Sequence, residues 1–204
     1  MVNFVITVAD ESHISYASEI SQLIEESARK RGTGIAKRSP EYIAEKIRQG
    51  RAIIALYQKK HLAGFCYIES WQHHKYVANS GLVVHPDYRN QGLANGIKTR
   101  AFKLSKKMFP QAKLFGLTTS LAVMKINSDL GYRPVTFSKL TEDDQFWKGC
   151  SSCVNYHILQ SKNQENCLCT GMLYDPEEKK RKWEQKTKKV KETLTGWKKK
   201  VIIK

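Results

Sequence analysis

The chain has 204 residues, 41% of them apolar and 26% charged, with a formal net charge of +16. That length supports one well-cored domain and little more, and the two fractions are those of a globular protein rather than a disordered one. No apolar run approaches the roughly 20 residues that a membrane span requires, and the opening MVNFVITVADE lacks the basic start of a signal peptide. Five cysteines without an export signal point to a reducing compartment, so the cytoplasm is the expected location.

The charge is uneven. Residues 177–204 carry twelve Lys and Arg against four Glu. The remaining excess of +8 belongs to the body of the protein, where it favours anionic ligands.

In chain order, residues 3–9 (NFVITVA) read as a strand. Tyr16, Ile20, Leu23, Ile24 and Ala28 then recur at helical spacing. KRGTGIAKRSP is a basic loop with two glycines. Ser39-Pro40 starts a second helix, with Ser as N-cap and Pro at the first helical position, ending near Gly50. Residues 52–57, 62–71 and 79–84 are strands, the first two joined as a hairpin by the polar QKKH. A helix over 93–108, a strand over 113–119 and a helix over 120–130 stopped by Gly131 follow, and YRPVTF continues the sheet.

The order β-α-α-β-β-β-α-β-α-β predicts an α/β fold with a mixed sheet and helices on its faces. The expected domain covers 1–174, with a core over 1–160 and a hairpin extension over 161–174. Trp183, Val190, Leu194, Trp197 and Val201 fall on one stripe. Residues 175–204 therefore read as a basic amphipathic helical tail. It would dock on the domain or on a second subunit in a homodimer, or else meet an anionic surface such as nucleic acid or membrane.

The stretch VVHPDYRNQGLANGIKTRAF carries the chemistry. Pro86 ends a strand, because it lacks an N–H and biases His85 away from helix. The first turn of the next helix leaves backbone N–H groups without partners, at the positive end of its dipole, which makes an anion site. Gly92 permits close approach, and Arg89 adds a charge suited to phosphate. A P-loop would need Gly-Lys-Ser/Thr where Leu93-Ala94-Asn95 stand. A dinucleotide fingerprint would need more glycines and parallel strands.

The pattern V-x-P-x-Y-R-x-x-G-x-A, from Val84 to Ala94, resembles the acyl-CoA-binding signature of the GNAT superfamily of N-acyltransferases, and the element order up to about residue 159 is similar to that fold. The resemblance implies a largely antiparallel mixed sheet with helices on both faces, and acetyl-CoA or another short acyl-CoA as co-substrate. It implies a pyrophosphate on Arg89, Asn90, Gln91, Gly92, Leu93 and Ala94, and a pantetheine arm along Leu82, Val83 and Val84. LFGLTTSLAVMKINSDLGYRPV is similar to the closing motif of the transferase domain of N-acetylglutamate synthases. That similarity implies direct acyl transfer to a small anionic amino acid, glutamate, in arginine biosynthesis. The competing expectation is a nucleic-acid-associated GNAT protein acting on a macromolecular amine or serving as a binding module; no RNA-binding motif with interleaved aromatics is visible.

Many members of the superfamily place an acidic Tyr four residues before the helix-ending glycine. Counting back from Gly131 gives Asn127. An amide cannot act as a general acid, though it can hydrogen-bond to sulfur or to the pantetheine. Either the thiolate leaves unassisted, or Ser120 or Tyr132 assists; Ser120 reads equally as a helix N-cap. The loop between the first two helices usually lies over the acceptor in this superfamily. Here it offers Arg31, Lys37 and Arg38 for an acceptor carboxylate, charges that a solvated loop also carries.

Cys150-x2-Cys153 and Cys167-x-Cys169 have the spacing of zinc ligands. Residues 154–160 and 167–173 nevertheless read as hairpin partners. That path would hold the two pairs more than ~10 Å apart at ~3.3 Å per residue. Small buried thiols and no metal are therefore expected.

Overall fold

The computed structural model describes residues 4–31 and 37–178. Ala52, Ile53, Ile54 and Ala55 are all buried, so this strand has protein on both of its faces and needs helices on each side. The strands are β1 (Phe4–Val8), β2 (Ala52–Tyr57), β3 (His61–Trp71), β4 (Tyr76–Val84), β5 (Lys113–Thr118), β6 (Arg133–Val135) and β7 (Thr170–Tyr174). The helices are α1 (Ala17–Arg31), α2 (Pro40–Arg48), α3 (Leu93–Met108), α4 (Leu121–Asp129), α5 (Asp144–Lys148) and α6 (Tyr156–Ser161). Among the described residues the strands form one sheet in the order β1-β2-β3-β4-β5-β7-β6. All pairings are antiparallel except β4 with β5. The α/β class and the mixed, largely antiparallel sheet are as expected.

Side-chain alternation divides the core. Ile54, Phe65, Tyr67 and Val83 pack with Ile20 and Ile24 of α1 and Ile43 and Ile47 of α2. Ile53, Ala55, Ala63 and Cys66 pack on the other face with Leu93, Ile97 and Ala101 of α3. Further along the sheet, Tyr76, Ala78 and Phe115 meet Trp147 of α5 and Leu159 of α6. Local signals set the helix starts: the Ser39 side chain accepts from the Tyr42 N–H with Pro40 at the first helical position, and Ser120 accepts from the Val123 N–H.

One expectation is overturned. No hairpin joins residues 154–160 to 167–173: Tyr156–Ser161 is helical, and β7 inserts between β5 and β6. Met172, Leu173 and Tyr174 are all buried, which suits an interior strand with both faces covered and not a surface hairpin. Residues 161–174 therefore complete the sheet instead of extending it.

The chain divides after Tyr174, and nearly all of the expected basic tail lies outside the described residues. Among the described residues no helix is long and apolar enough to cross a membrane.

Two irregularities in β4 shape the middle of the sheet. Phe65 pairs with Val83 and Tyr67 with Ser80, so Cys66 alone lies opposite Gly81 and Leu82 in a bulge. Gly81 takes φ +64°, and a Cβ there would clash with Cε1 of Tyr67. The second irregularity is the shortness of the β4–β5 ladder, which runs only from Tyr76–Lys113 to Ala78–Phe115. Gly81→Ala is accordingly expected to lower unfolding stability by about 1–3 kcal/mol, the cost of a left-handed non-glycine residue plus the clash. An unchanged urea midpoint would show that the bulge tolerates a side chain.

Candidate active site

Past Ala78 and Phe115 the parallel strands part. The opening is lined by Asn79, Ser80, Gly81 and Leu82 on one side and by Gly116, Leu117 and Thr118 on the other. It belongs to a cleft of about 710 Å³ that continues to α2, β3 and α5. A bonded network closes its foot. Asn79 Nδ2 donates to Ser105 Oγ at 2.7 Å, Tyr132 Oη donates to Asn79 Oδ1 at 3.2 Å, and Lys98 Nζ donates to the Asn79 carbonyl at 3.3 Å. Lys98 is only 2% exposed and stands over the Tyr132 ring; burial holds its ammonium below the ordinary lysine pKa.

Asn127 projects from α4 into the same opening. It is 1% exposed, and its Oδ1 is buried without a hydrogen-bond partner. A buried, unpaired acceptor is costly unless something donates to it. An amide N–H of a linear ligand fits that need. Ser120 lines the cleft as well as capping α4. Tyr132 is not among the lining residues. It is 3% exposed, and burial, then Cys66, push its phenol far above the usual range, so it serves the foot network as a hydrogen-bond donor.

The loop expected to hold pyrophosphate follows β4. Arg89 is extended (φ −69°, ψ 164°) and its Nε donates to the Val84 carbonyl at 3.2 Å. Asn90 (φ +60°) and Gly92 (φ +77°) are left-handed. Gly92 is the N-cap of α3 and provides no side-chain bond to the first turn. A Cβ on Gly92 would meet nothing within 4 Å. Open space therefore lies before the free N–H groups of a 16-residue helix, as an anionic ligand requires. Val83 is buried beside Phe65, Val84 packs on the α3 side of the sheet, and Leu82 lines the cleft. These features together suit a long ligand with amides along its arm and phosphates at one end.

The other end of the cleft is charged. Arg38 Nε donates to Tyr67 Oη at 2.7 Å, Nη1 to the Lys37 carbonyl at 3.0 Å, and Nη2 stands 4.0 Å from Glu69 Oε2. Its guanidinium also lies over the Tyr42 ring at 5.1 Å. Glu69 is 7% exposed and accepts from Tyr42 Oη. Burial, then the Glu69 carboxylate, push the Tyr42 phenol far up, so Tyr42 remains a donor. Lys46 and Arg51 line the same end, and burial pulls the Lys46 ammonium below its ordinary pKa. Lys37 lines it too, paired with Glu25 at 3.0 Å. Arg31 ends α1, and its side chain lies outside the described residues.

Glu69, Tyr42, Tyr67, Lys46, Arg51 and Lys98 were not among the residues expected from sequence. Two of them had a signal. Glu69 interrupts an apolar strand, LAGFCYIESW, and Lys98 sits beside Ile97 on the core-facing side of α3.

The Acetyltransferase (GNAT) family matches residues 17–122, more than half of the chain. No curated protein matches it in sequence. Among solved structures, it is similar to N-acetylglutamate synthase from Neisseria gonorrhoeae complexed with coenzyme A and N-acetyl-glutamate, with TM-score 0.60, 16% identity, and coverage of 86% of this chain but 35% of that one. The chain thus spans about a third of that synthase. It is also similar to the diaminobutyrate acetyltransferase EctA from Paenibacillus lautus in complex with L-2,4-diaminobutyric acid and coenzyme A (TM-score 0.58, 9% identity, 86% and 96% covered). A third likeness is the ribosomal-protein-S18-alanine N-acetyltransferase from Escherichia coli (TM-score 0.52, 13% identity, 85% and 94% covered). With a bulged β4 that parts from β5, a glycine-opened helix after it, and a family match running through both, the chain belongs to the Acetyltransferase (GNAT) family.

Proposed function

We propose that the chain acetylates the α-amine of a small dicarboxylic amino acid, L-glutamate first, by direct attack in a ternary complex. The supporting observation is the charge pattern of the acceptor end: Lys37, Arg38, Lys46 and Arg51 surround a single carboxylate, Glu69. Glutamate presents two carboxylates and one amine, the inverse of that pattern. Arg suits a carboxylate through its planar, bidentate fork, and Arg38 is held in place by Tyr67 and Tyr42. A product of this kind belongs to arginine biosynthesis, and the reducing cytoplasm is the natural compartment for five free thiols.

The residues divide the work. Leu82, Val83 and Val84 with the parted strands hold the pantetheine arm, and Arg89, Asn90, Gln91, Gly92, Leu93 and Ala94 hold the pyrophosphate. Acetyl-CoA supplies an acetyl thioester. Backbone N–H groups at the β4 bulge polarise its carbonyl, Glu69 accepts the proton that the amine sheds, and Asn127 accepts a hydrogen bond from the arm. The new C–N bond replaces the C–S bond, and the electron pair leaves with sulfur as a thiolate. Holding both partners in line accounts for much of the rate.

Two measurements test this reading. Gly92→Glu puts a side chain and a negative charge in the open space before α3, and CoA affinity measured by calorimetry is expected to fall at least ~100-fold, about 2.7 kcal/mol. Unchanged affinity would remove the phosphate assignment. Arg38→Ala is expected to lower kcat/KM for glutamate roughly 10- to 100-fold, the ~1.5–3 kcal/mol of a charge-assisted hydrogen bond, with acetyl-CoA affinity retained. Arg31→Ala in parallel tells which loop arginine carries the effect. If wild type acetylates peptide N-termini but no amino acid, the acceptor is macromolecular and the glutamate reading fails.

A further inference from the structure

Lys98 brings a positive charge to the foot of the opening between β4 and β5 and meets no negative charge there. It stands on α3, lines the cleft and is only 2% exposed. Its Nζ donates to the Asn79 carbonyl at 3.3 Å and lies 5.7 Å from the centre of the Tyr132 ring. A lysine ammonium has three donors, so one carbonyl and one ring face leave donor capacity over.

The groups that face it from the neighbouring elements are neutral. On β3, Cys66 is a thiol: its Sγ donates to the Ser80 carbonyl at 3.3 Å, and burial pushes it up to about 11. After α4, Tyr132 donates through its Oη to Asn79 Oδ1, with the Tyr174 ring of β7 behind it. Asn79 and Ser105 add a bonded amide and hydroxyl. Glu69, the carboxylate that lines the cleft, is engaged at the other end by Tyr42 and Arg38. A cation buried without a counter-ion is costly, and among the described residues Lys98 has none.

Acyl transfer creates an anion in this cleft. If the pantetheine arm follows Leu82, Val83 and Val84, the reading on which this inference rests, the C–S bond breaks between the parted strands. Asn127 lines the same opening, but an amide has no proton to give. We propose that Lys98 is the proton donor of the transfer: its ammonium pairs with the departing sulfur at the foot of the opening and protonates it.

The balance is simple. As the C–N bond forms and the C–S bond breaks, the electron pair moves to sulfur. Lys98 then exchanges one N–H bond for an S–H bond and keeps the electron pair on Nζ. Neutral Lys98 regains a proton from solvent after the thiol leaves. Burial lowers the Lys98 pKa toward the thiol range, and such a match makes proton transfer efficient. The bond to Asn79 holds Nζ where β4 leaves β5, since Ala78 is the last residue of β4 paired with it.

Titrating the thiol of bound CoA tests this without any acceptor. Ultraviolet difference spectra of the full chain with CoA, against the same chain with desulfo-CoA, follow the thiolate. The bound thiol is expected to ionise at a pH roughly 1–3 lower than free CoA, the usual effect of a neighbouring opposite charge. Lys98→Met should abolish that difference while CoA affinity by calorimetry is retained. With acetyl-CoA and glutamate, Lys98→Met should lower kcat about 100-fold, the lower end for general acid catalysis. Wild-type kcat should hold while Lys98 is protonated and fall as pH rises through its pKa, below the ordinary lysine range; the variant should lack that alkaline fall. A bound thiol that ionises as free CoA does overturns the proposal, and so does a folded Lys98→Met with wild-type kcat. The wild-type titration decides even where the variant fails to fold or glutamate is not the acceptor. A chain that binds no CoA overturns the donor-site reading and this proposal together.

Discussion

The parting of β4 from β5 after three residue pairs is the constraint on which the rest depends. A parallel ladder that stops at Ala78 and Phe115 leaves a wedge in the middle of the sheet, and a wedge in a close-packed core must be held open. The Gly81 bulge shifts the register of β4 against β3, and the Asn79, Ser105, Tyr132 and Lys98 network fixes the point of divergence. Burying a lysine to cap the Asn79 carbonyl is an expensive choice. It is offset by its hydrogen bond and the Tyr132 ring, and it prevents the strands from zipping further.

From that wedge the two ends of the proposed substrate path follow. Toward the C-terminal end of β4 the chain turns through left-handed Asn90 and Gly92 into α3, which aims free N–H groups outward. In the opposite direction the cleft runs between α2 and α5 onto β3, where Glu69 and Arg38 are fixed by Tyr42 and Tyr67. The end proposed for the donor is thus built largely from backbone and the end proposed for the acceptor from charged side chains. Solved structures as different as a diaminobutyrate acetyltransferase and a ribosomal-protein acetyltransferase are similar to this chain in fold.

The local structure of the half proposed for the donor was legible in the sequence because it is set by near neighbours. The helix over 93–108 coincides with α3 (Leu93–Met108), Ser39-Pro40 and Ser120 start helices where capping chemistry places them, and Gly92 is left-handed. Strand β7 was not legible. Periodicity proposes a strand but not its neighbour, and Thr170–Tyr174 joins β5 across more than fifty residues of chain. Glu69 and Lys98 were missed for a related reason: a charged residue in an apolar element gains meaning only from partners brought by other elements, here Tyr42 and Arg38 from α2 and its preceding loop, and Asn79 from β4. The hairpin assumed to join the two cysteine pairs was not there, because residues 156–161 turn into a helix instead of a strand.

Hydrogen–deuterium exchange with and without acetyl-CoA tests most directly whether the parted strands and the α3 turn form one donor site. Slowed exchange is expected in two separate stretches, residues 79–84 of β4 and residues 90–96 around the start of α3, because one extended ligand would cover both sets of amides. Protection confined to one stretch, or appearing instead along α1 or β1, would contradict a donor path through the wedge.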